Sequence, residues 1–480
     1  MSLSLTPAEV RRYLPWLVAV SLFMETLDAT IVNTASPLIA DDFGVAALSV
    51  KGVLTSYTLA LAVFIPISGW MADRFGTRRV FEAAILLFTT GSLLCGVAVS
   101  LPMLVVSRLL QGMGGAMMTP VGRLALVRTF PRSEMLTAMN YVVIPALVGP
   151  LVGPFLGGAI AHWLHWRIIF FINLPLGLVG FWLSRRWMPD YRTASSPPID
   201  LTGMVLFSLG ILLLSYALEV LGDHSLPLSS VVQLGAAGVV LLGAYVRHAR
   251  RAAHPLLSLG LFRIRTFRIS VTGGFVTRLG VGGMPFLLPL LYQVGLGYAP
   301  WQAGLLTMPQ ALGAMAMKLI NRQLLAAFGH RTVLRTNTVA MGLLLACFSF
   351  IGPGTPIPFI VLLSFTQGLI SSVQFTSMNS LVYADVSDEE ASRASSIAIT
   401  AQHLALSFGV ALGSVTAALF LRDVPQTDQT GFIAALHYAF LTLGGMTILS
   451  SIAFAALRPG DGAIVSRHRS VVEVENEGVQ

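Results

Sequence analysis

The sequence predicts an all-α integral membrane protein with fourteen transmembrane helices. Of its 480 residues, 55% are apolar and only 11% are charged, and the mean hydropathy is +0.77. A surface of that composition does not suit water, so classes of soluble protein are excluded. The apolar residues also fall into long runs, and a helix that rises 1.5 Å per residue needs about 20 of them to cross a hydrocarbon layer about 30 Å thick.

The apolar runs follow one another along nearly the whole chain. We place the helices at 15–37, 52–71, 80–100, 103–127, 136–164, 168–184, 201–221, 226–246, 269–294, 303–320, 333–351, 357–383, 394–421 and 433–457. The first run carries Glu25 and Asp28 and is not followed by a small-residue cleavage site, so we expect it to stay in the protein rather than act as a signal peptide. Because Cys95 and Cys347 lie inside apolar runs, we predict neither a disulfide framework nor a metal site.

The positions of Lys and Arg predict the orientation, because cytoplasmic loops hold an excess of positive charge. With both termini inside, 23 of the 30 basic residues lie on the cytoplasmic side, and only Lys51, Arg167 and Arg422 lie in outside loops. The formal charge of +8 is then explained by a basic rim that faces anionic lipid. We therefore expect no nucleic-acid partner.

Two basic stretches interrupt the series of helices and predict cytoplasmic linkers around an inserted helix pair. The chain accordingly divides into four parts. An N-terminal six-helix bundle occupies 1–184, and a linker region at 185–268 holds the inserted pair at 201–246. A C-terminal six-helix bundle occupies 269–457, and a cytoplasmic tail occupies 458–480.

The two sets of six helices resemble repeats of each other. The Gln-Gly pair at 111–112 recurs at 367–368, an offset of 256, and the Phe-Gly pair at 75–76 recurs at 328–329, an offset of 253. Two landmarks with nearly the same offset indicate duplication of a six-helix unit. Transporters built from such repeats hold their substrate between the two halves.

Four motifs carry a resemblance to a known family: LDATIVNTASPLIA at 27–40, GWMADRFGTRR at 69–79, RLLQGMGGA at 108–116 and GPLVGPFLGGA at 149–159. On these motifs the chain resembles the fourteen-spanner drug/proton antiporter family of the major facilitator superfamily, over essentially its whole length. The resemblance implies the major facilitator fold and a proton-driven exporter of small molecules in the bacterial inner membrane, with no cofactor.

The loop motif contains six residues of interest: Gly69, Asp73, Arg74, Gly76, Arg78 and Arg79. The glycines permit tight turns at helix ends, and we expect the charged residues to form an interfacial cluster. The resemblance implies that this cluster locks one conformation of the transporter, and a plain basic anchor is the alternative. The second copy has no residue that matches Asp73, so any lock belongs mainly to the first half.

The fifth helix contains a glycine and proline motif that consists of Gly149, Pro150, Gly153, Pro154, Gly157 and Gly158. Glycines at every fourth position predict a smooth face against which another helix packs closely, and the prolines predict bends. The resemblance implies an antiporter in which this helix seals the cavity against ion leak. Small-residue packing alone is the alternative explanation.

Charged side chains inside a membrane are costly and need an explanation. Asp28 and Arg108 lie at the same predicted depth, so we predict that they interact and that Asp28 exchanges protons; a purely structural ion pair is the alternative. Glu25, one turn away, is a second candidate proton carrier. Arg123 and Lys318 lie near the inner helix ends, where their side chains can reach the interface.

The substrate cavity is assigned to five polar residues: Arg278, Asn33, Gln111, Gln293 and Gln367. Lipophilic cations suit Glu25 and Asp28 in an aromatic-lined cavity. Because basic residues outnumber acidic ones within the helices, an organic anion, such as a carboxylate metabolite or its metal chelate, is the alternative substrate.

Two further classes of function are weighed against a secondary transporter. An ATP-driven pump is disfavoured, because neither Lys51 nor Lys318 is followed by the Ser or Thr of a phosphate-binding loop. A membrane-embedded enzyme is the second alternative, but the repeat and the lack of a metal-spaced His/Glu cluster argue against it. We predict a monomeric transporter, not an enzyme, whose partners are protons, a small molecule and membrane lipid.

Overall fold

The computed structural model describes residues 7–193, 198–223, 226–387, 389–422, 424 and 428–466. These residues form no strand, and they contain fourteen helices of 15 residues or more. The helices are α1 (Pro7–Asp42), α2 (Lys51–Phe75), α3 (Thr77–Gly96), α4 (Leu101–Thr129), α5 (Arg132–Trp163), α6 (Asn173–Trp187), α7 (Leu201–Asp223), α8 (Leu228–Ala249), α9 (Arg265–Val281), α10 (Pro300–Lys318), α11 (Asn321–Cys347), α12 (Ile357–Leu381), α13 (Ala391–Leu421) and α14 (Gln429–Ala455).

Twelve helical segments of the described chain are long and apolar enough to cross a membrane. The two helices outside that set are α4 and α10. In α4, Arg108 and Gln111 lower the hydropathy, and both helices pack against helices that belong to the set. The predicted all-α, multi-pass fold is therefore confirmed, and the count of fourteen spans stays a prediction.

Some predicted helix boundaries differ from the structure. The helix at 269–294 is interrupted after Val281, and it continues as a short helix, Met284–Leu290, and a π turn, Leu291–Gly295. Gly282 and Gly283 lie against the backbone of α13 at this break, and the nearby prolines cannot donate a backbone hydrogen bond. The predicted helix at 168–184 is likewise divided at Ile172.

The placement of Lys51 in an outside loop is wrong. Lys51 is the first residue of α2 and is fully buried. Its Nζ lies beside Gly222 of α7, and Glu219 of α7 lies beside Gly52. Packing of α7 over the start of α2, which the sequence does not reveal, explains the burial.

The predicted division has two sets of six helices and an inserted pair, and the helix contacts lie within and between these parts. Within the first set α1 packs on α5, and α4 packs on α2 and α3; within the second, α10 packs on α12, α11 on α14 and α9 on α13. The sets meet along two seams, α5 with α10 and α2 with α13. Helix α7 packs on both α13 and α2, so the inserted pair covers the second seam.

The repeated loop has the same turn in both halves. Gly76, between α2 and α3, has φ of +98°, and Gly329, at a kink inside α11, has φ of +70°. Only glycine adopts such angles without strain, because other residues clash through Cβ. We use "inner" and "outer" for the ends of the helix array predicted to face the cytoplasm and the outside, and both turns lie at the inner end.

Candidate functional site

The candidate site centres on Asp28, a fully buried carboxylate in α1. Arg108 of α4 donates from Nη1 to Asp28 Oδ2 over 2.5 Å. Gln111 of α4 and Asn173 of α6 each donate from the side-chain amide to Asp28 Oδ1 over 2.8 Å. The carboxylate thus receives three hydrogen bonds from two neighbouring helices, one of them charge-assisted.

The spacing on α4 explains how its two donors reach one acceptor. Arg108 and Gln111 are three residues apart and share a helix face, and Arg108 Nη1 also donates to Gln111 Oε1 over 2.7 Å. The guanidinium donates from Nε to the carbonyl oxygen of Val53 over 3.2 Å and lies 4.3 Å above the ring of Tyr57. Arg108 is 1% exposed, so its partners replace water on every side.

A second layer fixes the amide donors. Gln111 and Asn173 also donate to Ser92 Oγ, over 3.2 and 3.0 Å, and Ser92 donates to the carbonyl oxygen of Phe170 over 2.8 Å. A buried charge pair is tolerated only when its remaining polar atoms are satisfied. The predicted contact between Asp28 and Arg108 is present, and it is part of a network that ties α1 to α3, α4 and α6.

Glu25 does not belong to this network. It lies one turn before Asp28, is partly exposed, and accepts a hydrogen bond from Thr119 of α4. Glu25 and Asp28 therefore occupy separate environments: Asp28 is enclosed, and Glu25 is partly exposed.

Arg278 of α9 is buried with neutral partners. It is 6% exposed, and its Nη2 donates to Asn379 Oδ1 and Gln402 Oε1, each over 3.4 Å. Its guanidinium lies 4.8 Å above the ring of Phe375. Within the described residues no carboxylate lies within 4 Å of its nitrogens. His403, on the neighbouring α13, has a buried Nδ1 that finds no hydrogen-bond partner in the same part of the chain.

The other residues assigned to the cavity are dispersed. Gln111 is taken up by the Asp28 network, and Asn33 is partly buried in α1. Gln293 donates to the carbonyl oxygen of Thr34 over 2.8 Å and so links the two halves. Gln367 is fully buried, and neither amide atom has a hydrogen-bond partner among the described residues.

Two charged residues of the loop motif form ion pairs with residues outside it. Asp73 accepts from Arg128 Nη2 over 2.6 Å and from Thr193 over 3.0 Å, and Arg78 pairs with Glu82 over 3.1 Å. The ion pairs thus divide the motif between two partners, and its role in locking a conformation stays a prediction. The turn at Gly76 separates the two pairs, because Asp73 lies near the end of α2 opposite the end of α4, whereas Arg78 lies in the first turn of α3.

Two further members of the expected interfacial cluster, Arg74 and Arg79, are exposed and form no ion pair with any residue that the structure describes. Gly69 lies in α2 with open space at its Cβ position, so its predicted role in a turn is wrong. The turn depends on Gly76 alone.

The glycine motif of α5 packs against α1. A methyl group on Gly149 would meet Thr26, and one on Gly153 would meet Thr30. A methyl group on Gly157 would meet the carbonyl oxygen of Ile31. The threonine hydroxyls of α1 use this proximity, since Thr30 and Thr34 donate to the carbonyl oxygens of Gly149 and Pro154, over 3.4 and 2.8 Å. The partner of the smooth face is thus the helix that carries Asp28.

Gly158 faces a different helix. Its Cβ position lies against the backbone of Pro300 in α10, and Gly304 of α10 lies against the backbone of Pro154. Nearby, the rings of Trp163 and Trp301 stack with centroids 6.0 Å apart. These contacts join the two halves at their outer end, so α5 connects α1 to the opposite half.

Comparison with known proteins identifies the class. The model of the Major Facilitator Superfamily matches residues 18–410 and 270–475. The chain belongs to this superfamily of membrane transporters.

Curated relatives cover almost the entire chain. It is 39% identical to the "Putative multidrug resistance protein MdtD" of Escherichia fergusonii, over 96% of this chain and 98% of that one. It is 40% identical to the protein of the same name from Klebsiella pneumoniae, over 94% and 95%.

Solved structures share the fold at low sequence identity. The POT family transporter PepTSo has a TM-score of 0.69 and 15% identity, covering 95% of this chain and 98% of its own. The peptide transporter POT in complex with sulfate has a TM-score of 0.68 and 13% identity, covering 96% and 99%. At these identities the likeness establishes the fold alone.

Proposed function

We propose that this transporter is a proton-coupled antiporter that exports small molecules from the cytoplasm by alternating access. The observation that carries the proposal is the buried pair of Asp28 and Arg108, 2.5 Å apart. Asp28 is the one acid of this network, and a proton on its carboxylate removes the charge that holds the guanidinium. Binding of a proton then favours whichever conformation tolerates a neutral Asp28, and this differential affinity couples the proton to the conformational change.

In this proposal, the contacts of α1 transmit the effect of protonation to the outer contact between the two halves. Protonation loosens the hold of Arg108, Gln111 and Asn173 on Asp28, so α1 can shift relative to α4 and α6. Because the glycine face of α5 packs directly on α1, a shift of α1 is passed to α5. Helix α5 in turn holds the outer contact with α10 through Gly158, which must open for release to the outside.

A partly exposed acid and the relatives support a cationic drug as the first candidate substrate. Glu25 is partly exposed on the helix that carries Asp28, and it can attract a lipophilic cation toward the proton site. The relatives named for multidrug resistance support a drug as the substrate, without specifying its charge. Competition between a cationic drug and a proton for the acids of α1 would produce antiport.

An organic anion is the second candidate substrate, and one observation favours it. Arg278 is buried against Phe375 and neutral oxygens, with no carboxylate within 4 Å in the described chain. A buried guanidinium without an acid is an incomplete ion pair. A substrate carboxylate would complete it, with the aromatic ring packing against the rest of the molecule.

Reconstitution into liposomes tests both candidates. Purified protein is assayed for proton-driven uptake of ethidium and for uptake of citrate, while a pH-sensitive dye inside the vesicles reports proton exit. We expect Asp28→Asn to abolish proton-coupled transport and Asp41→Asn, the same change at an exposed position of α1, to leave it intact. Proton-coupled transport by Asp28→Asn at the wild-type rate would exclude Asp28 as the carrier.

The remaining parts of the proposal concern placement. We propose a bacterial inner membrane with both termini in the cytoplasm and a functional monomer, on the basis of the basic inner end and the bacterial relatives. Labelling of single cysteines placed at exposed Arg250 and exposed Asp41 by an impermeant reagent in intact cells tests the orientation. We expect labelling only at position 41.

A further inference from the structure

A cavity lies at the inner end of the second half, away from the Asp28 network. Its volume is about 460 Å³, within the range of small-molecule sites. It lies between the end of α10, the start of α11, the inner end of α12 and a short helix, Ala463–Ser466. Its lining residues are Lys318, Asn321, Arg322, Leu325, His330, Thr376, Ser380 and Val465.

The lining is basic and rich in hydrogen-bond donors. Lys318 and Arg322 are exposed, and neither forms an ion pair within the part of the chain that the structure describes. Asn321 donates to Thr376 Oγ1 over 3.2 Å, and His330 Nε2 and Ser380 Oγ are 2.9 Å apart. No acidic residue is among those that line the cavity. Lysine, arginine and hydroxyl groups together are typical ligands of phosphate.

The second copy of the duplicated loop lacks the acidic residues that neutralise arginines in the first copy. An anion that balances its basic residues must therefore come from outside the loop. In the first half, Asp73 and Glu82 neutralise Arg128 and Arg78. At an offset of 253, Ala326 stands in place of Asp73 and Arg335 in place of Glu82.

The second copy has therefore lost both acids and still contains three arginines, Arg322, Arg331 and Arg335. Arg331 and Arg335 lie one turn apart, where like charges repel. With Lys318 and Arg322 they form a positive surface that no acid of the described loop compensates.

The surroundings of the cavity indicate a membrane source for the anion. Leu319 is 82% exposed, Ile320 50% and Phe328 59%; the first two lie between α10 and α11, and Phe328 lies near the start of α11, close in sequence to the basic residues. In a multi-pass protein, apolar side chains exposed beside basic ones mark the level where acyl chains meet headgroups. We propose that this cavity binds the phosphate headgroup of an anionic phospholipid of the inner leaflet, with Lys318 and Arg322 contacting the phosphate.

Native mass spectrometry of the full-length protein in detergent tests the site. The protein is titrated with phosphatidylglycerol and, separately, with phosphatidylcholine, and inorganic phosphate is added as a soluble competitor. We expect the double variant Lys318→Gln/Arg322→Gln to bind phosphatidylglycerol about 30-fold more weakly than wild type. That factor corresponds to about 2 kcal/mol for two basic residues at an anionic surface. Binding of phosphatidylcholine should not change.

Two matched variants separate the site from general electrostatics. Lys318→Arg/Arg322→Lys keeps both charges and should keep the affinity for phosphatidylglycerol. Arg250→Gln/Arg251→Gln removes two exposed charges from another inner loop and should also keep it. Equal losses in this control and in Lys318→Gln/Arg322→Gln would overturn the proposal. So would full competition by inorganic phosphate at the concentration of the lipid, because the cavity would then take a soluble phosphate.

Discussion

Removal of the charge at Asp28 gives the most direct test of the site. In Asp28→Asn the guanidinium of Arg108 stays 1% exposed and loses the one carboxylate that pairs with it among the described residues. Breaking a buried ion pair at one partner costs about 3–5 kcal/mol, because the other charge is left buried without compensation. An asparagine also presents an amide to Arg108, Gln111 and Asn173, all of which donate to position 28, so we expect the upper part of that range.

A double-mutant cycle separates the pair from its surroundings. Arg108→Gln alone should cost a similar amount, since it strands the buried carboxylate. In Asp28→Asn/Arg108→Gln two neutral amides face each other, so the loss should fall short of the sum of the single losses by about 2–3 kcal/mol or more. Unfolding in mixed micelles, followed by tryptophan fluorescence, measures each free energy, with Asp41→Asn as the control for an exposed carboxylate of α1.

Two results would refute this reasoning. Additive losses in the cycle would mean that the two side chains do not depend on each other energetically. A double variant that regains both stability and proton-driven export would mean that the pair is structural and that Asp28 is not the proton carrier. We expect the double variant to regain stability without export.

Three other predictions concern packing, the supporting donor and the linker. Gly157→Ala should lower stability by about 1–3 kcal/mol, because the new methyl group meets a carbonyl oxygen of α1. The control Gly235→Ala places its methyl group in open space beside α8 and should not lower stability. Thermal unfolding in detergent compares the two variants. Asn173→Ala removes one hydrogen bond to the buried carboxylate and should cost about 1.5–3 kcal/mol in the same assay, whereas an unchanged melting temperature would contradict the network. Although burial raises the pKa of Asp200, hydrogen bonds from two backbone amides and His248 outweigh it and lower the pKa below its usual 3.8. Asp200 therefore stabilises the folded protein above that value and loses the effect as the pH falls through the lowered pKa. Asp200→Asn should melt earlier than wild type at neutral pH, with the difference fading well below pH 3.8.

The contact between Asp28 and Arg108 shows how far the sequence reaches into the site. Both residues lie in apolar runs whose ends are fixed by the bilayer, and at 1.5 Å per residue their depths can be counted from opposite sides. Depth, together with the cost of a charge in lipid, was enough to predict the pair. The same count could not predict Asn173, although an amide inside the apolar run at 168–184 was a usable signal.

Two contacts could not be predicted for the same reason. Asp73 pairs with Arg128, and Lys51, which we placed in an outside loop, is buried. In both cases the partner comes from a helix distant in the sequence, α4 or α7. The sequence pattern around Asp73 or Lys51 gives no indication of which distant helix packs against it.

By itself, the sequence determined the all-α membrane fold, and it predicts a division at the repeat and a depth for each charged side chain. These properties act on each segment separately, through bilayer thickness, the bias of basic residues and the cost of burying charge. Only the tertiary structure decided that the glycine face of α5 meets α1, that Asn173 completes the Asp28 network and that Asp73 pairs with Arg128. Those outcomes depend on the rotation of each helix about its axis, which is set by the packing of all the helices together.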